Sequence, residues 1–218
     1  MSTGTSSDNL TAVNKLAANK LAANKLAANK LAANKLAANS LGAHDLMSTP
    51  DGRDVMSYVV GCALVTGQTY VDHDSDGNEY SFPGWLGLAT AWADRAPTVE
   101  ERQLVTGCLL SRTNYFGVSV QISLRGDSDL LATDADEIAA FPADEAAFWG
   151  DLFDPSGVIS EHACESAAKV ANESGASYAL RQCATPSGDG VTTLCGFTYE
   201  GTCGAQVPTA TGVHVWLH

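Results

Sequence analysis

The segment with the clearest chemical pattern is an acidic run at residues 72–79, Asp-His-Asp-Ser-Asp-Gly-Asn-Glu. Its carboxylates alternate along the chain and a glycine, Gly77, permits a sharp turn, which matches the first half of an EF-hand-type calcium loop. The second half differs, because Glu79 and Pro83 stand where an aliphatic residue and a bidentate glutamate are expected. The alternative is an acidic hairpin with a tight turn. The predicted calcium ligands, of weak extracellular-type affinity, are Asp72, Asp74, Asp76 and Asn78.

Six cysteines form the second chemical feature, in an acidic chain of 218 residues with a formal net charge of −13. Cys62 and Cys108 lie on two separate predicted helices among apolar neighbours, so we expect them to form one disulfide. The other four lie in the last third of the chain and are expected to pair among themselves. An even cysteine count without a Cys-x-x-Cys motif predicts an oxidising compartment, extracellular or at the cell surface. The alternative is a cytosolic protein with six buried thiols.

Motifs for catalysis are sparse in this sequence. It contains neither a Gly-x-Ser-x-Gly elbow nor a His-Glu-x-x-His motif. Residues 161–165 bring together Glu, His and Cys, but we expect Cys164 to be disulfide-bonded. His214 and His218 alternate on a predicted strand, and we interpret this spacing of two histidines as incidental. The acidic charge excludes a nucleic-acid-binding face, and no run is apolar enough for a membrane span. We therefore leave enzymatic activity open and favour its absence. Four aromatic residues are expected in the core or on a carbohydrate-binding platform: Trp85, Trp92, Phe148 and Trp149.

The N-terminal part contains a repeat with a period of five residues. From Asn14 the unit Asn-Lys-Leu-Ala-Ala recurs, and it degrades towards Leu46. The sequence thus divides into a flexible tether (1–8), a pentapeptide repeat module (9–46) and a second domain (47–218). Such a tether is also typical of mature lipoproteins, so a lipid anchor in the native form is kept as an alternative. Five of the six lysines lie in the first 46 residues and 23 of the 25 acids follow them, so the two parts could attract each other or neighbouring copies.

Composition and period favour different structures for the repeat. Ala, Leu and Lys are strong helix formers, but a period of five advances about 140° per unit on a helix, which spreads the leucines over every face. A β-solenoid would instead place every Leu inward and stack the Asn side chains. In this respect the segment resembles the pentapeptide-repeat proteins. We expect a short solenoid, with one long helix as the alternative, and self-association into an oligomer or filament through the open end of the coil.

Residues 47–218 predict one α+β domain. Asp51 is expected to cap a helix through Leu64, and Thr98 to begin a second helix whose first turn is acidic. A third, short helix is expected at 145–153. The predicted strands are 68–71, 79–82, 118–124, 177–183, 192–198 and 213–217.

Four segments of this domain resemble a group of uncharacterised secreted proteins of myxobacterial type that also carry N-terminal Asn-x-Leu repeats. The segments are 80–89 (Tyr-Ser-Phe-Pro-Gly-Trp-Leu-Gly-Leu-Ala), 107–110, 116–126 and 147–153. The resemblance implies secretion and names no reaction. We therefore expect a secreted or cell-surface structural or binding protein, with itself, calcium or a surface carbohydrate as partner. The alternative is an extracellular hydrolase whose site forms only in three dimensions.

Overall fold

The computed structural model describes residues 17–18, 21–34, 36, 44–172 and 176–218. The predicted tether and much of the repeat lie outside these residues. The described helices are α1 (Ala23–Asn34), α2 (His44–Met47), α3 (Pro50–Ala63), α4 (Val99–Ser111), α5 (Ala135–Ala140), α6 (Ala167–Ala171) and α7 (Ala176–Ala179). The strands are β1 (Ala17–Ala18), β2 (Leu21–Ala22), β3 (Thr69–His73), β4 (Glu79–Pro83), β5 (Thr113–Asn114), β6 (Gln121–Arg125), β7 (Ala143–Asp151), β8 (Ser160–Glu165), β9 (Thr198–Thr202) and β10 (Val213–Leu217).

A six-stranded sheet with the order β1-β6-β10-β7-β8-β9 forms the centre of the α+β fold. Its pairs are antiparallel except β8–β9, which is parallel. The helix α4 packs on β7 and β10, and α3 lies between α4 and α1. Gly107 allows α4 to approach the sheet closely, because a Cβ there would lie 2.7 Å from Val213 Cγ2 and 3.1 Å from the Phe148 carbonyl oxygen.

The two long helices begin where side chains satisfy their first backbone N–H groups. Thr98 forms the expected capping box with Glu101 at the start of α4. The cap of α3 differs from the prediction, since Thr49 Oγ1 accepts from the Gly52 N–H at 3.0 Å and Pro50 is the first helical residue. Proline suits that position because its missing N–H would have no partner there. Asp51 therefore lies in the first turn and is not the cap.

Residues Ala23–Asn34 of the repeat form a helix, so the expected solenoid is wrong for this segment. This helix has only 12 residues, and two fully buried leucines lie outside it, Leu21 before and Leu36 after. A short helix reconciles the high helix propensity of the repeat with its five-residue period. Leucines beyond the ends of the helix do not follow its rotation of about 100° per residue, so they can point into the core. Together with the buried Leu26, these leucines belong to the same core as the second domain. The core thus continues across the predicted boundary at 46–47.

Lysines of the repeat form ion pairs with acids of the following domain. Lys25 Nζ lies 2.6 Å from Asp54 Oδ2 and 3.0 Å from Asp51 Oδ1. Lys30 pairs with Glu161, a buried residue of β8. The opposite charges of the repeat and the second domain could attract each other within one chain or between copies. For Lys25 and Lys30, these contacts show attraction within the chain.

Two predicted elements in the domain are wrong and others are shifted. The expected helix at 145–153 is wrong, because this segment forms most of β7. This strand is one of the two central strands of the sheet and is buried on both faces, so it lacks the alternation that identifies a strand. The expected strand at 177–183 contains the end of α7. The strand predicted at 118–124 begins at Gln121, and the one predicted at 192–198 is replaced by β9. The last strand, β10, has the predicted bounds.

Three disulfides brace the domain. Cys62–Cys108 joins α3 to α4 as predicted, and the last four cysteines pair among themselves as Cys164–Cys203 and Cys183–Cys195. None of the helices within the described ranges is long and apolar enough to cross a membrane.

Candidate functional site

The predicted calcium segment forms the turn of the β3–β4 hairpin. Asp74 is its central acceptor: its Oδ1 accepts the backbone N–H groups of Asp76 at 3.0 Å and Asn78 at 2.9 Å. Its Oδ2 accepts from Asn78 Nδ2 at 3.0 Å and from the Tyr80 hydroxyl at 3.0 Å. These bonds, those from Asn78 first, lower the pKa of Asp74 to about 2. Gly77 adopts φ +82°, which the turn requires and which side chains disfavour.

The other predicted calcium ligands lie around this acceptor. Asp72 is buried in β3 and its Oδ1 accepts the His73 N–H at 2.8 Å, while Asp76 is exposed at the turn. Across the part of the chain that the structure describes, no three His, Cys, Asp or Glu side chains are grouped to hold a metal ion. The observed bonding of Asp74 favours the hairpin alternative, and calcium binding by residues 72–78 stays a prediction.

The segment 161–165 does not form one site, because alternate residues of β8 face opposite sides of the sheet. Glu161 points towards α1 and pairs with Lys30. His162 lies on the other side, where its ring stacks on Trp149 with centroids 5.6 Å apart, and its Nδ1 is 2.7 Å from Glu200 Oε1. Cys164 is bonded to Cys203. This arrangement can hold His162 in place, and it lacks a nucleophile.

The remaining histidines are separated from one another. His214 lines a small cleft of about 160 Å³ with Asp127 and Pro208, and burial lowers its pKa. The ring of His218 packs edge-on against Phe141. Among the described residues, no Ser or Cys side chain is hydrogen-bonded to His73, His162 or His214.

The four aromatic residues expected in the core or on a platform are largely core. Trp92 and Phe148 are fully buried, and Trp92 packs edge-on against Phe153 with centroids 4.9 Å apart. Trp149 is nearly buried, and Trp85 covers the guanidinium of Arg112. Trp85 is half-buried, and the other three are buried.

A buried network of four charges lies at the end of the sheet where α6 and α7 meet it. Arg181 Nε donates to Glu145 Oε2 at 2.6 Å, and Lys169 Nζ lies 3.4 Å from Glu165 Oε1 and 3.7 Å from Glu145 Oε1. Two cations balance two anions, so the network is neutral. Because removal of any one charge would leave a buried partner unpaired, we interpret the network as a structural joint between β7, β8 and the following helices.

An open groove with a volume of about 540 Å³ lies where α1 faces two loops of the second domain. None of the described residues that line it carries a charge. The lining residues are Ala23, Asn24, Ala27, Tyr115, Leu194, Cys195 and Gly196. Tyr115 is the only aromatic residue among them, and 47% of its surface remains exposed. A volume of this size falls within the range of small-molecule sites.

Buried Asn114 fixes the loop that carries Tyr115. Its Nδ2 donates to the carbonyls of Val118 at 3.1 Å and Leu180 at 3.0 Å, and its Oδ1 accepts the Phe116 N–H at 2.9 Å. The Tyr115 and Phe116 rings then meet edge-on with centroids 5.2 Å apart. A loop held by three bonds from one buried amide presents its aromatic rings in a defined orientation.

The opposite loop is fixed by a disulfide and by one carboxylate. Cys195 is bonded to Cys183, and the Leu194 N–H donates to the Thr185 carbonyl at 2.9 Å. Asp189 accepts from Ser187 Oγ at 2.7 Å and from the Thr192 N–H at 2.8 Å, which holds the pKa of Asp189 well below its usual value. Both walls of the groove are therefore preorganised.

Sequence reasoning missed this groove. Its one usable signal is Asn-Tyr-Phe-Gly at 114–117, two adjacent aromatics before a glycine between a helix and a strand. No family model matches the chain, and neither the curated proteins nor the solved structures include a match.

Proposed function

We propose that this chain is a secreted binding protein whose groove between α1 and the loops at Tyr115 and Leu194 binds a neutral carbohydrate. Three disulfides, which are compatible with an extracellular location, support the compartment. The observation that carries the proposal is the partly exposed Tyr115 ring in a groove whose described lining residues are all uncharged.

The chemistry of the lining favours a sugar over other ligand classes. The described lining residues offer no counter-charge to an anion or a cation, so a charged ligand would bind there at a large cost in desolvation. A sugar ring has an apolar C–H face that can pack on the Tyr115 ring, and its hydroxyls can bond to the exposed Asn24 amide. The small side chains of Ala23 and Ala27 leave room for a ring beside the helix.

Binding can be tested by screening the full chain on an array of neutral oligosaccharides and measuring the best ligand by calorimetry. Tyr115→Ala should weaken binding by roughly two- to tenfold, because an aromatic stacking contact contributes about 0.5–1.5 kcal/mol. Tyr115→Phe keeps the ring and should retain most of the affinity.

A matched pair of variants on α1 tests the location of the site. Ala27→Gln places a longer side chain in the groove and should abolish binding, while Ala28→Gln, one exposed position further along the same helix, should not. Both changes substitute one strong helix former for another, so α1 should persist. Absence of binding across the array, or equal binding by the two variants, would refute the proposal.

Self-association through the repeat receives less support. The lysines of the repeat were expected to attract either the second domain or neighbouring copies, and Lys25 and Lys30 are paired with Asp51, Asp54 and Glu161 within the chain. The buried leucines of the repeat are likewise occupied in the common core.

A further inference from the structure

Cys203 is the only one of the six cysteines that is not buried. It is half-buried, whereas the exposed fraction of each of the other five is 6% or less. Its disulfide partner, Cys164 of β8, is fully buried in a small apolar cluster with Ala147 and Trp149. Thiol–disulfide exchange requires access to a sulfur atom, so the exposure of the cysteines ranks the three bonds. On this measure Cys164–Cys203 is the bond most open to an external thiol.

Residues 204–210, which we call the flap, follow Cys203 and lead towards β10. Most of them are exposed, and only Val207 and the residue after it are half-buried. Gln206 Nε2 donates to the carbonyls of Glu200 at 3.2 Å and Thr202 at 2.7 Å, so hydrogen bonds join the flap to β9, the edge strand. The disulfide joins it to β8, and Val207 packs against the apolar cluster around that bond.

The flap forms one wall of the cleft at His214, whose volume is about 160 Å³. Its contribution to the lining is Gly204, Val207, Pro208 and Thr209. Asp127 lines the cleft together with His214. Burial lowers the pKa of His214, and the charge of Asp127 opposes this shift. Arg125 is the cross-strand partner of His214, but its guanidinium lies over the Trp216 ring. The flap therefore contributes to the burial of the His214 ring.

We propose that the Cys164–Cys203 disulfide is a thiol-sensitive latch that holds the flap over His214. The thiolate of a small thiol attacks Cys203 Sγ and forms a mixed disulfide, and the Cys164 sulfur leaves as a thiolate that takes up a proton. A second small thiol attacks the mixed disulfide and releases Cys203 as a free thiol. Two electrons thus pass from the two small thiols, which leave joined as their own disulfide. The flap then loses its covalent connection to β8, and the cleft opens.

The rest of the fold should persist when this bond opens. The other two disulfides join buried cysteines, and β10 remains paired with β6 on one side and β7 on the other. A segment with little buried surface opens at a lower free energy than the core strands. The inference does not depend on the proposed function, because neither the latch, the flap nor His214 lines the groove at Tyr115.

The first measurement identifies which bond opens. The oxidised full chain is incubated with increasing concentrations of reduced glutathione, alkylated with N-ethylmaleimide and mapped by mass spectrometry. Cys164 and Cys203 should be alkylated first, at glutathione concentrations that leave the other four cysteines bonded. If Cys62–Cys108 or Cys183–Cys195 opens first, or if all three bonds open together, the latch is overturned.

The second measurement follows the His214 ring by NMR titration of the oxidised and the partly reduced protein. Release of the flap should raise the pKa of His214 towards the ordinary value of a histidine, because the ring regains contact with water. Hydrogen exchange of the Val207 amide should also become faster. An unchanged His214 titration in protein whose Cys164–Cys203 bond is open would contradict the proposal.

A matched pair of double variants separates the latch from a general loosening of the fold. Cys164→Ser with Cys203→Ser removes the latch without any reductant and should raise the pKa of His214 as reduction does. Cys183→Ser with Cys195→Ser removes a different disulfide and should leave the His214 titration as in the parent. An equal rise in both would overturn the latch. If a variant does not fold, partial reduction of the parent decides the question.

Discussion

The replacement Leu26→Ala tests whether the repeat helix is part of the domain core. Leu26 lies in α1 and is fully buried within the core cluster that also contains residues of α3 and α4. Truncation of a fully buried leucine costs about 2–5 kcal/mol, because the transfer free energy is lost and a cavity remains. Alanine has the higher helix propensity, so α1 itself should not be weakened. We expect a loss of about 3 kcal/mol in the free energy of unfolding.

The measurement is urea unfolding of the oxidised full chain, followed by tryptophan fluorescence. The fluorescence reports on the core because Trp92 is buried there. For a chain of this size, 3 kcal/mol also corresponds to a decrease in melting temperature of roughly 6–12 °C. Leu180→Ala is the matched control, since the same atoms are removed from a side chain that is 51% exposed, and its cost should stay below about 1 kcal/mol.

The reasoning fails if Leu26→Ala unfolds at the same urea concentration as Leu180→Ala. That result would mean that α1 is a detachable module, as the sequence alone suggested. A second transition at low urea in the parent protein would have the same meaning, because the repeat would then unfold separately from the sheet.

Other expected outcomes concern single groups. Burial, and then the charge of Glu145, raises the pKa of Asp144 to about 6. The ionised Asp144 carboxylate therefore destabilises the fold above that pH. The free energy of unfolding of the parent, relative to that of Asp144→Asn, should increase as the pH falls from about 6 to 4. A difference between the two proteins that does not vary with pH would contradict this sign. Asp74→Ala should speed hydrogen exchange of the Asp76 and Asn78 amides with or without Ca²⁺; if Ca²⁺ instead protects this turn in the parent and not in the variant, the calcium prediction is confirmed. Peptide mapping without reduction should find Cys62–Cys108, Cys164–Cys203 and Cys183–Cys195, and a free thiol in secreted material would contradict the assignment. Sedimentation at low salt should show a monomer, because Lys25 and Lys30 are paired within the chain; a salt-sensitive oligomer would favour assembly through the repeat.

Local features of the sequence predicted an element correctly where a short segment determines its structure. The capping box at Thr98 and Glu101 marked the start of α4, since both partners lie within four residues. Alternating side chains around Gly77 identified the β3–β4 hairpin, and alternation also gave the bounds of β10. The position of Cys62 and Cys108 on separate apolar helices predicted their bond.

Tertiary structure decided the elements whose local preference is weak or misleading. Residues 143–151 contain helix formers such as Ala and Glu, yet they form β7 because β8 and β10 pair with both of its edges and α4 covers one face. Residues 23–34 of the repeat form a short helix, and the described leucines at 21, 26 and 36 enter a core that α3 and α4 supply. The groove at Tyr115 and the cleft at His214 each join residues distant in sequence, so no local pattern encodes them. Sequence periodicity reports which side chains are apolar, whereas the partner that buries them is fixed only when the whole chain has folded.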